Sequence, residues 1–187
     1  MMTTTPPQFA FEPWKVVDRR EVLSLPPWIE VAIETVELPD GRRIDDYVQI
    51  YVTDFVIVFA ETSDGHVVCL RHYRHAARGV SLELVAGHID AGEDPLGAAK
   101  RELLEEAGYE SSHWETLGRF VVSPTQGIGD GHVFRARGVV KRQEPFSGDL
   151  EDSTVELLDR KSLIAALRHG EVIAGSHVAA LALALLK

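Results

Sequence analysis

The sequence predicts a mixed fold of the α/β (α+β) class, in which a β-sheet is combined with one central and two C-terminal helices. Three observations predict it. Short alternating or apolar segments recur between residues 28 and 158, a capped helical segment interrupts them, and two further helical segments end the chain. A two-residue period indicates strands, whereas apolar residues three or four positions apart indicate a helix.

The first predicted strand begins at Trp28, where Ile29 and Val31 alternate with polar residues. Such alternation is typical of a strand with one buried face. Pro39-Asp40-Gly41 and Ser63-Asp64-Gly65 have the composition of turns. The other strands predicted before the central helix cover residues 47–52, 55–60, 66–73 and 82–85.

The central helix is predicted to follow Asp94 and to end before Gly108. Asp94 is a favourable N-cap, and Pro95 suits the first helical position, where a missing N–H costs nothing. Glycine is a common residue at the C-terminal cap. One face of the helix is predicted to be buried, and it carries Leu96, Ala99, Leu103 and Ala107.

The second half of the chain predicts three more strands and two helices. The strands cover residues 116–122, 132–140 and 154–158, and the helices cover residues 161–169 and 176–186. Residues 1–13 are expected to form a flexible tail. Residues 14–187 are expected to form a single domain, because their number lies within the usual size of one.

The composition excludes several classes of protein. The chain has 29 acidic and 19 basic residues, a formal net charge of −10, and this argues against nucleic acid as a partner. Its apolar segments are too short to span a membrane. The lone cysteine, Cys69, excludes an internal disulfide framework, and a reducing, cytoplasmic location is therefore expected.

Three carboxylates stand close together on the predicted central helix. Glu102, Glu105 and Glu106 lie three or four residues apart, a spacing at which like charges repel. A solvated acidic face is the simple interpretation. The glycine-rich loop 86–93 that leads into the helix favours another, because a backbone carbonyl and carboxylate oxygens are the ligands that Mg²⁺ or Mn²⁺ prefers.

The loop and the helix together form a recognisable pattern. It consists of Gly87, five residues, Glu93, seven residues and Arg101-Glu102-Leu103-Leu104-Glu105-Glu106-Ala107-Gly108-Tyr109. The pattern resembles the Nudix box of the Nudix hydrolases, with Tyr109 in place of the usual aliphatic residue. The resemblance implies an α/β/α sandwich with a mixed sheet, and hydrolysis of a nucleoside diphosphate linked to another group.

The resemblance also implies roles for the residues of the box. Glu102, Glu105 and Glu106 would bind Mg²⁺ or Mn²⁺, and the last two are candidate catalytic residues. The structural supports would be Gly87, Glu93, Arg101 and Gly108. Metal ions of this kind neutralise the charge of diphosphate oxygens and lower the pKa of an attacking water.

Outside the box, the chain is most similar to the ADP-ribose pyrophosphatase group. The matches are Arg71-His72-Tyr73-Arg74, Leu82-Glu83-Leu84-Val85-Ala86-Gly87 and Ser123-Pro124. By this resemblance, Arg74, Glu83 and Pro124 would contribute to the substrate site, and the Ala86 carbonyl would bind a metal. The spacing of His72 and His75 differs from that of a zinc pair, so both are interpreted as ordinary polar residues.

Three more residues are candidates by position. An acidic loop, residues 148–152, matches the place where this group carries an acidic pair, so Glu151 is expected to be a base or metal ligand and Asp149 the competing base. A solvated acidic turn is the alternative for both. Trp28 is a candidate for stacking on an adenine ring, with a buried structural role as the alternative.

The resemblance as a whole implies a Mg²⁺-dependent hydrolase that splits ADP-ribose or a related nucleoside diphosphate sugar into AMP and a sugar phosphate. Other nucleoside diphosphate derivatives, such as GDP-mannose, NADH or a dNTP, remain alternatives. So does a domain that senses ADP-ribose without turnover. The group also implies a homodimer that exchanges its N-terminal strands, here about residues 28–52.

Overall fold

The structure is a computed structural model that describes residues 11–146 and 153–186. In this part of the chain, eleven strands and three helices form two compact units. The first unit contains the described residues up to Val52 and Thr125–Ile128. The second unit contains the described residues of Thr53–Pro124 and Gly129–Lys187.

The first unit is built on a three-stranded antiparallel sheet in the order β1-β2-β3. Its strands are β1 (Lys15–Leu25), β2 (Ile29–Glu37) and β3 (Arg43–Tyr51). The first of them was not predicted. Its register with β2 shifts between Val16 and Asp18 and again between Glu21 and Leu23, and such bulges interrupt the two-residue alternation that identifies a strand in a sequence.

The second unit contains a six-stranded sheet in the order β11-β5-β6-β4-β9-β8. Strand β4 pairs antiparallel with β6 and parallel with β9, so the sheet is mixed, as the sequence predicts. Its strands are β4 (Phe55–Glu61), β5 (Val67–Arg74), β6 (Gly79–His88), β8 (His113–Ser123), β9 (Ile128–Arg137) and β11 (Ser153–Leu158). A short pair, β7 (Tyr109–Glu110) and β10 (Val140–Lys141), completes the strands of this unit among the described residues.

Helices cover both faces of this sheet. Helix α1 (Pro95–Ala107) packs through Ala99 and Leu103 on the face that carries Val56 and Val58. Helices α2 (Arg160–Arg168) and α3 (Gly175–Leu185) pack on the opposite face, around Phe59. Alternate residues of β4 therefore belong to two hydrophobic cores, one on each face of the sheet. The predicted mixed α/β sandwich is confirmed. None of the helices in the described residues has the length and apolar character of a membrane span.

Candidate active site

The residues that cap α1 fix its position in the second unit. The Asp94 side chain accepts hydrogen bonds from the backbone N–H groups of Leu96 and Gly97 at 3.0 and 3.2 Å. Gly108 ends the helix with a φ of 78°, a left-handed value that favours glycine. A Cβ at Gly108 would also lie 2.1 Å from the carbonyl oxygen of Gln143. Both caps agree with the sequence prediction, and they set which way the glutamates of α1 face.

Two of these glutamates reach neighbouring residues at the end of β6. The Glu106 carboxylate accepts a hydrogen bond from the backbone N–H of Ala86 at 3.0 Å. The Glu102 carboxylate lies so close to Gly87 that a Cβ there would be 2.0 Å from its Cδ and Oε1 atoms. The Gly87 backbone therefore leaves room for the Glu102 side chain. Carboxylates from two turns of α1 converge on one short piece of strand.

Arg101 donates hydrogen bonds to three glutamates of the box. Its Nε and Nη2 atoms donate to the two carboxylate oxygens of Glu93 at 3.1 and 2.9 Å. Its Nη1 donates to Glu102 at 2.6 Å and to Glu105 at 3.3 Å, and Nη2 also donates to the His88 carbonyl at 2.9 Å. The hydrogen bonds that Arg101 donates to Glu93, and then to Glu102, hold its pKa above the ordinary value. Arg101 thus offsets the repulsion among the carboxylates.

Glu93 closes the loop that precedes α1. Its carboxylate accepts a hydrogen bond from the backbone N–H of Asp90 at 3.1 Å, and its own N–H donates to the Asp90 carbonyl at 2.9 Å. The hydrogen bond from Arg101 lowers the pKa of Glu93. The fork of a guanidinium suits this two-point contact, whereas a lysine could not reproduce it. Glu93 and Arg101 together hold the loop against the helix.

A second charged pair lies on the neighbouring strands β5 and β6. Arg74 Nη2 lies 2.7 Å from Glu83 Oε2, and Arg74 Nε lies 3.2 Å from both carboxylate oxygens. The Glu83 side chain is 1% exposed and that of Arg74 is 36% exposed. Glu83 is therefore buried beneath Arg74, and it orients a guanidinium that still reaches the surface.

The side chains of two histidines also lie next to the Glu83 carboxylate. The Nε2 atoms of His72 and His177 each lie 3.1 Å from Glu83 Oε2. Burial alone would raise the pKa of Glu83, but hydrogen bonds from His177, His72 and Arg74 outweigh it and hold that pKa well below the usual range. No sequence pattern identifies His177 as a site residue, because it lies 94 residues from Glu83 and belongs to no motif in the chain. His72, interpreted as an ordinary polar residue, is buried in this cluster.

Four more residues are candidates from the sequence, and they are Trp28, Pro124, Asp149 and Glu151. Trp28 belongs to the first unit and is 69% exposed, which contradicts the alternative of a buried structural tryptophan. Pro124 is exposed and directly follows β8 in the second unit. Asp149 and Glu151 lie outside the described residues.

The oxygen atoms that meet at the end of β6 are of the kind that binds a hard cation. Among residues 11–146 and 153–186, no three His, Cys, Asp or Glu side chains already form a metal cluster. Glu102 and Glu106 nevertheless meet at adjacent backbone positions, and the Glu105 side chain is 44% exposed. Carboxylate and carbonyl oxygens are the ligands that Mg²⁺ and Mn²⁺ favour. The residues present therefore fit such an ion.

Known proteins share both the sequence pattern and the fold. Residues 51–174 match the NUDIX domain family. The chain is 33% identical over 133 residues to the methanol dehydrogenase activator of Bacillus methanolicus, and 32% identical over 133 residues to the ADP-ribose pyrophosphatase of Bacillus subtilis (strain 168). Each of these alignments covers 70% of both chains.

A shorter match links the chain to the ADP-ribose pyrophosphatase of Mycobacterium tuberculosis, with 34% identity over 85 residues, 45% of this chain and 41% of that protein. The fold is similar to that in the crystal structure of an ADP compounds hydrolase, with a TM-score of 0.81, 19% identity and 95% of each chain covered. This likeness supports the sandwich fold. Together with the match over residues 51–174, these similarities show that the chain belongs to the Nudix family and is a Nudix hydrolase.

Proposed function

We propose that the protein hydrolyses the diphosphate bond of ADP-ribose or a related nucleoside diphosphate sugar, giving AMP and a sugar phosphate, with Mg²⁺ or Mn²⁺ as its cofactor. The observation that carries the proposal is the convergence of Glu102 and Glu106 on Ala86 and Gly87. Relatives named ADP-ribose pyrophosphatase support the choice of substrate.

Four of the described residues would hold the cation, in addition to Glu151 if that residue is a metal ligand. They are Glu102, Glu105 and Glu106 through their carboxylates, and Ala86 through its carbonyl oxygen. A divalent ion bound there supplies charge neutralisation at the diphosphate and a lowered pKa for the attacking water. Arg101 keeps Glu102 and Glu105 in place through hydrogen bonds of 2.6 and 3.3 Å.

Arg74 would bind the phosphates or the terminal ribose of the substrate. Its guanidinium is planar and carries donors in a fixed arrangement that matches phosphate oxygens. Glu83 contacts it at 2.7 Å and is itself buried, so Glu83 would act on the substrate through Arg74. Pro124 would help to shape the same substrate site, in line with its position in the related group.

The general base is proposed to come from the acidic loop, with Glu151 as base or metal ligand and Asp149 as the competing base. Both lie outside the described residues, but the flanks of their loop support the proposal. On one side, the backbone N–H of Phe146 donates to the Glu105 carbonyl at 2.7 Å. On the other side, Ser153 pairs with His72 on β5. The described residues on either side of the loop therefore contact α1, the helix of the box, and β5, the strand that carries Arg74.

A homodimer is proposed to form through the sheet of the first unit, with exchange of N-terminal strands. On one face of this sheet, apolar residues lie directly opposite each other in the pairs Leu25 with Ile29, Leu23 with Val31, Val31 with Ile50, and Ile33 with Val48. Three of them, Leu23, Leu25 and Val48, are more than 40% exposed. Continuous apolar surface of this kind is typical of protein interfaces.

Trp28 is proposed to stack on the adenine ring of the substrate. Trp28 is 69% exposed, and this exposure to solvent supports the proposed role. Stacking on an aromatic side chain is a common way to bind a nucleobase. Substitution of Trp28 by alanine should therefore raise the KM for ADP-ribose.

A substrate panel tests the proposed reaction. The purified protein is incubated with ADP-ribose, NADH, GDP-mannose and dNTPs, each with Mg²⁺, with Mn²⁺ or with EDTA, and the products are separated by chromatography. AMP and ribose phosphate should form fastest from ADP-ribose. Faster cleavage of GDP-mannose, NADH or a dNTP would identify one of the alternative substrates. Calorimetric binding of ADP-ribose with no product from any compound would instead indicate a sensing domain.

A further inference from the structure

A buried ionised carboxylate needs compensating donors, and those of Glu83 come from two separate elements. Arg74 and His72 lie on β5, while His177 lies on α3. Burying a charge without such partners is costly, and each donor also restricts how the carboxylate can turn. The contact from His177 on α3 is the one that links Glu83 to a distant part of the sequence.

The backbone of β6 determines which nitrogen of the neutral His177 ring carries the proton. The N–H of Leu84 donates to His177 Nδ1 at 3.1 Å. An Nδ1 atom that accepts a hydrogen bond carries no proton, so in the neutral ring the proton lies on Nε2. Nε2 is the atom 3.1 Å from Glu83 Oε2. His177 therefore accepts from one residue of β6 and donates to the preceding one.

We propose that His177 is a positioning residue for the substrate diphosphate, because its Nε2–H holds the Glu83 carboxylate that orients Arg74. This inference rests on the substrate-binding role proposed for Arg74. It assigns a function to α3, which lies beyond the residues 51–174 that match the NUDIX domain family.

The packing of α3 against the sheet holds His177 in position for its contact with Glu83. His177 is 4% exposed and lies in the first turn of the helix, whose Ala180, Leu181 and Ala184 are buried against the sheet. Arg74, in contrast, is a long side chain that is 36% exposed and loses much conformational freedom when it is held in one place. Without the donor from α3, Glu83 can rotate, and Arg74 samples more positions before it meets the diphosphate.

Two substitutions at His177 separate its two hydrogen bonds. His177→Gln places an amide N–H at a reach similar to that of Nε2, so it keeps the donor to Glu83. His177→Asn places an amide oxygen at a reach similar to that of Nδ1, so it keeps the acceptor for Leu84 and loses the donor. In the asparagine variant we expect KM for ADP-ribose to rise by about tenfold with little change in kcat. In the glutamine variant KM should stay within about twofold of the unsubstituted protein.

A double-substitution cycle with Arg74→Ala distinguishes positioning from a general structural effect. If His177 acts through Arg74, then His177→Asn should leave KM unchanged when Arg74 is already alanine. The melting temperature of every variant is measured alongside. Equal KM changes in both backgrounds would overturn the proposal, as would an unchanged KM in a folded asparagine variant.

The glutamine variant keeps the proposal testable if the asparagine variant does not fold. A folded His177→Gln protein with a tenfold higher KM would overturn the proposal, because it retains the donor to Glu83. Failure of the proposed function gives a different result. In that case the unsubstituted protein itself would release no product from any nucleoside diphosphate, whereas failure of the present inference leaves its hydrolysis intact.

Discussion

The carboxylate of Glu106 and the backbone N–H of Ala86 are joined by a 3.0 Å hydrogen bond. This bond connects the last turn of α1 to the end of β6, beside the position where Glu102 rests on Gly87. The acidic side of the helix is therefore directed at a strand and is more than a solvated surface.

Glu106→Gln should lower turnover of ADP-ribose by about a hundredfold or more, because the variant loses a charged ligand of the proposed cation. The melting temperature should change little, since the amide oxygen of glutamine can still accept the hydrogen bond from Ala86. Steady-state kinetics and thermal unfolding are measured on the same preparation. Activity close to that of the unsubstituted protein would show that the metal assignment is wrong.

Gly87→Ala should displace the Glu102 carboxylate, because the new Cβ would lie 2.0 Å from its present position. The carboxylate ends a flexible side chain, so it can move, and we expect the main loss to be in activity and in apparent Mg²⁺ affinity. The matched control is Gly175→Ala, where a Cβ meets nothing within 4 Å. If Gly87→Ala and Gly175→Ala have equal kinetics, the close approach of Glu102 to the strand has no functional role.

The charge of Glu83 predicts how stability depends on pH. The ordinary pKa of this group is 4.5, and in the folded protein its pKa lies well below that. The folded chain therefore binds fewer protons than the unfolded chain below about pH 5, and the free energy of unfolding should fall as the pH is lowered. Glu83→Gln should remove up to about 1.4 kcal/mol per pH unit of this slope.

Urea unfolding between about pH 5 and about pH 3 measures that slope. Asp46→Asn serves as the control, because Asp46 is an exposed carboxylate on β3. A slope that is the same in Glu83→Gln and in the unsubstituted protein would contradict the assignment of a strongly lowered pKa to Glu83.

Val48→Lys should weaken the proposed homodimer, because it places a charge on the apolar face of the β1-β2-β3 sheet. Val48 is 43% exposed and lies opposite Ile33 on that face. Sedimentation velocity should show a shift towards monomer. Val140→Lys adds the same charge at a 52% exposed valine of the second unit and should leave the assembly unchanged. A monomeric unsubstituted protein would refute the predicted dimer.

Local signals in the sequence accounted for the central helix and most strands. Asp94, Pro95 and Gly108 each act within one turn of the helix, so their effect can be predicted without tertiary structure. Strand β1 was missed because its bulges break the alternation. The cap residues and the fixed spacing of the box also placed Glu102 and Glu106 correctly on the same helix as Arg101.

The contacts of the site depended on pairings that sequence spacing does not reveal. His177 reaches Glu83 only because α3 packs on the face of the sheet opposite α1. In the same way, the close approach of Gly87 to Glu102 follows from how α1 lies against β6. Contacts between distant segments are set by the packing of the whole unit, and no local pattern encodes them.

We propose that this chain hydrolyses ADP-ribose with a divalent cation held by the glutamates of α1. The most direct measurement is the rate of AMP formation from ADP-ribose as a function of free Mg²⁺, in the unsubstituted protein and in Glu106→Gln. We predict saturable dependence on Mg²⁺, no product in EDTA, and little product from the variant at any Mg²⁺ concentration. AMP formation at the same rate in EDTA, or no AMP at all from the unsubstituted protein with Mg²⁺ or Mn²⁺, would contradict the claim.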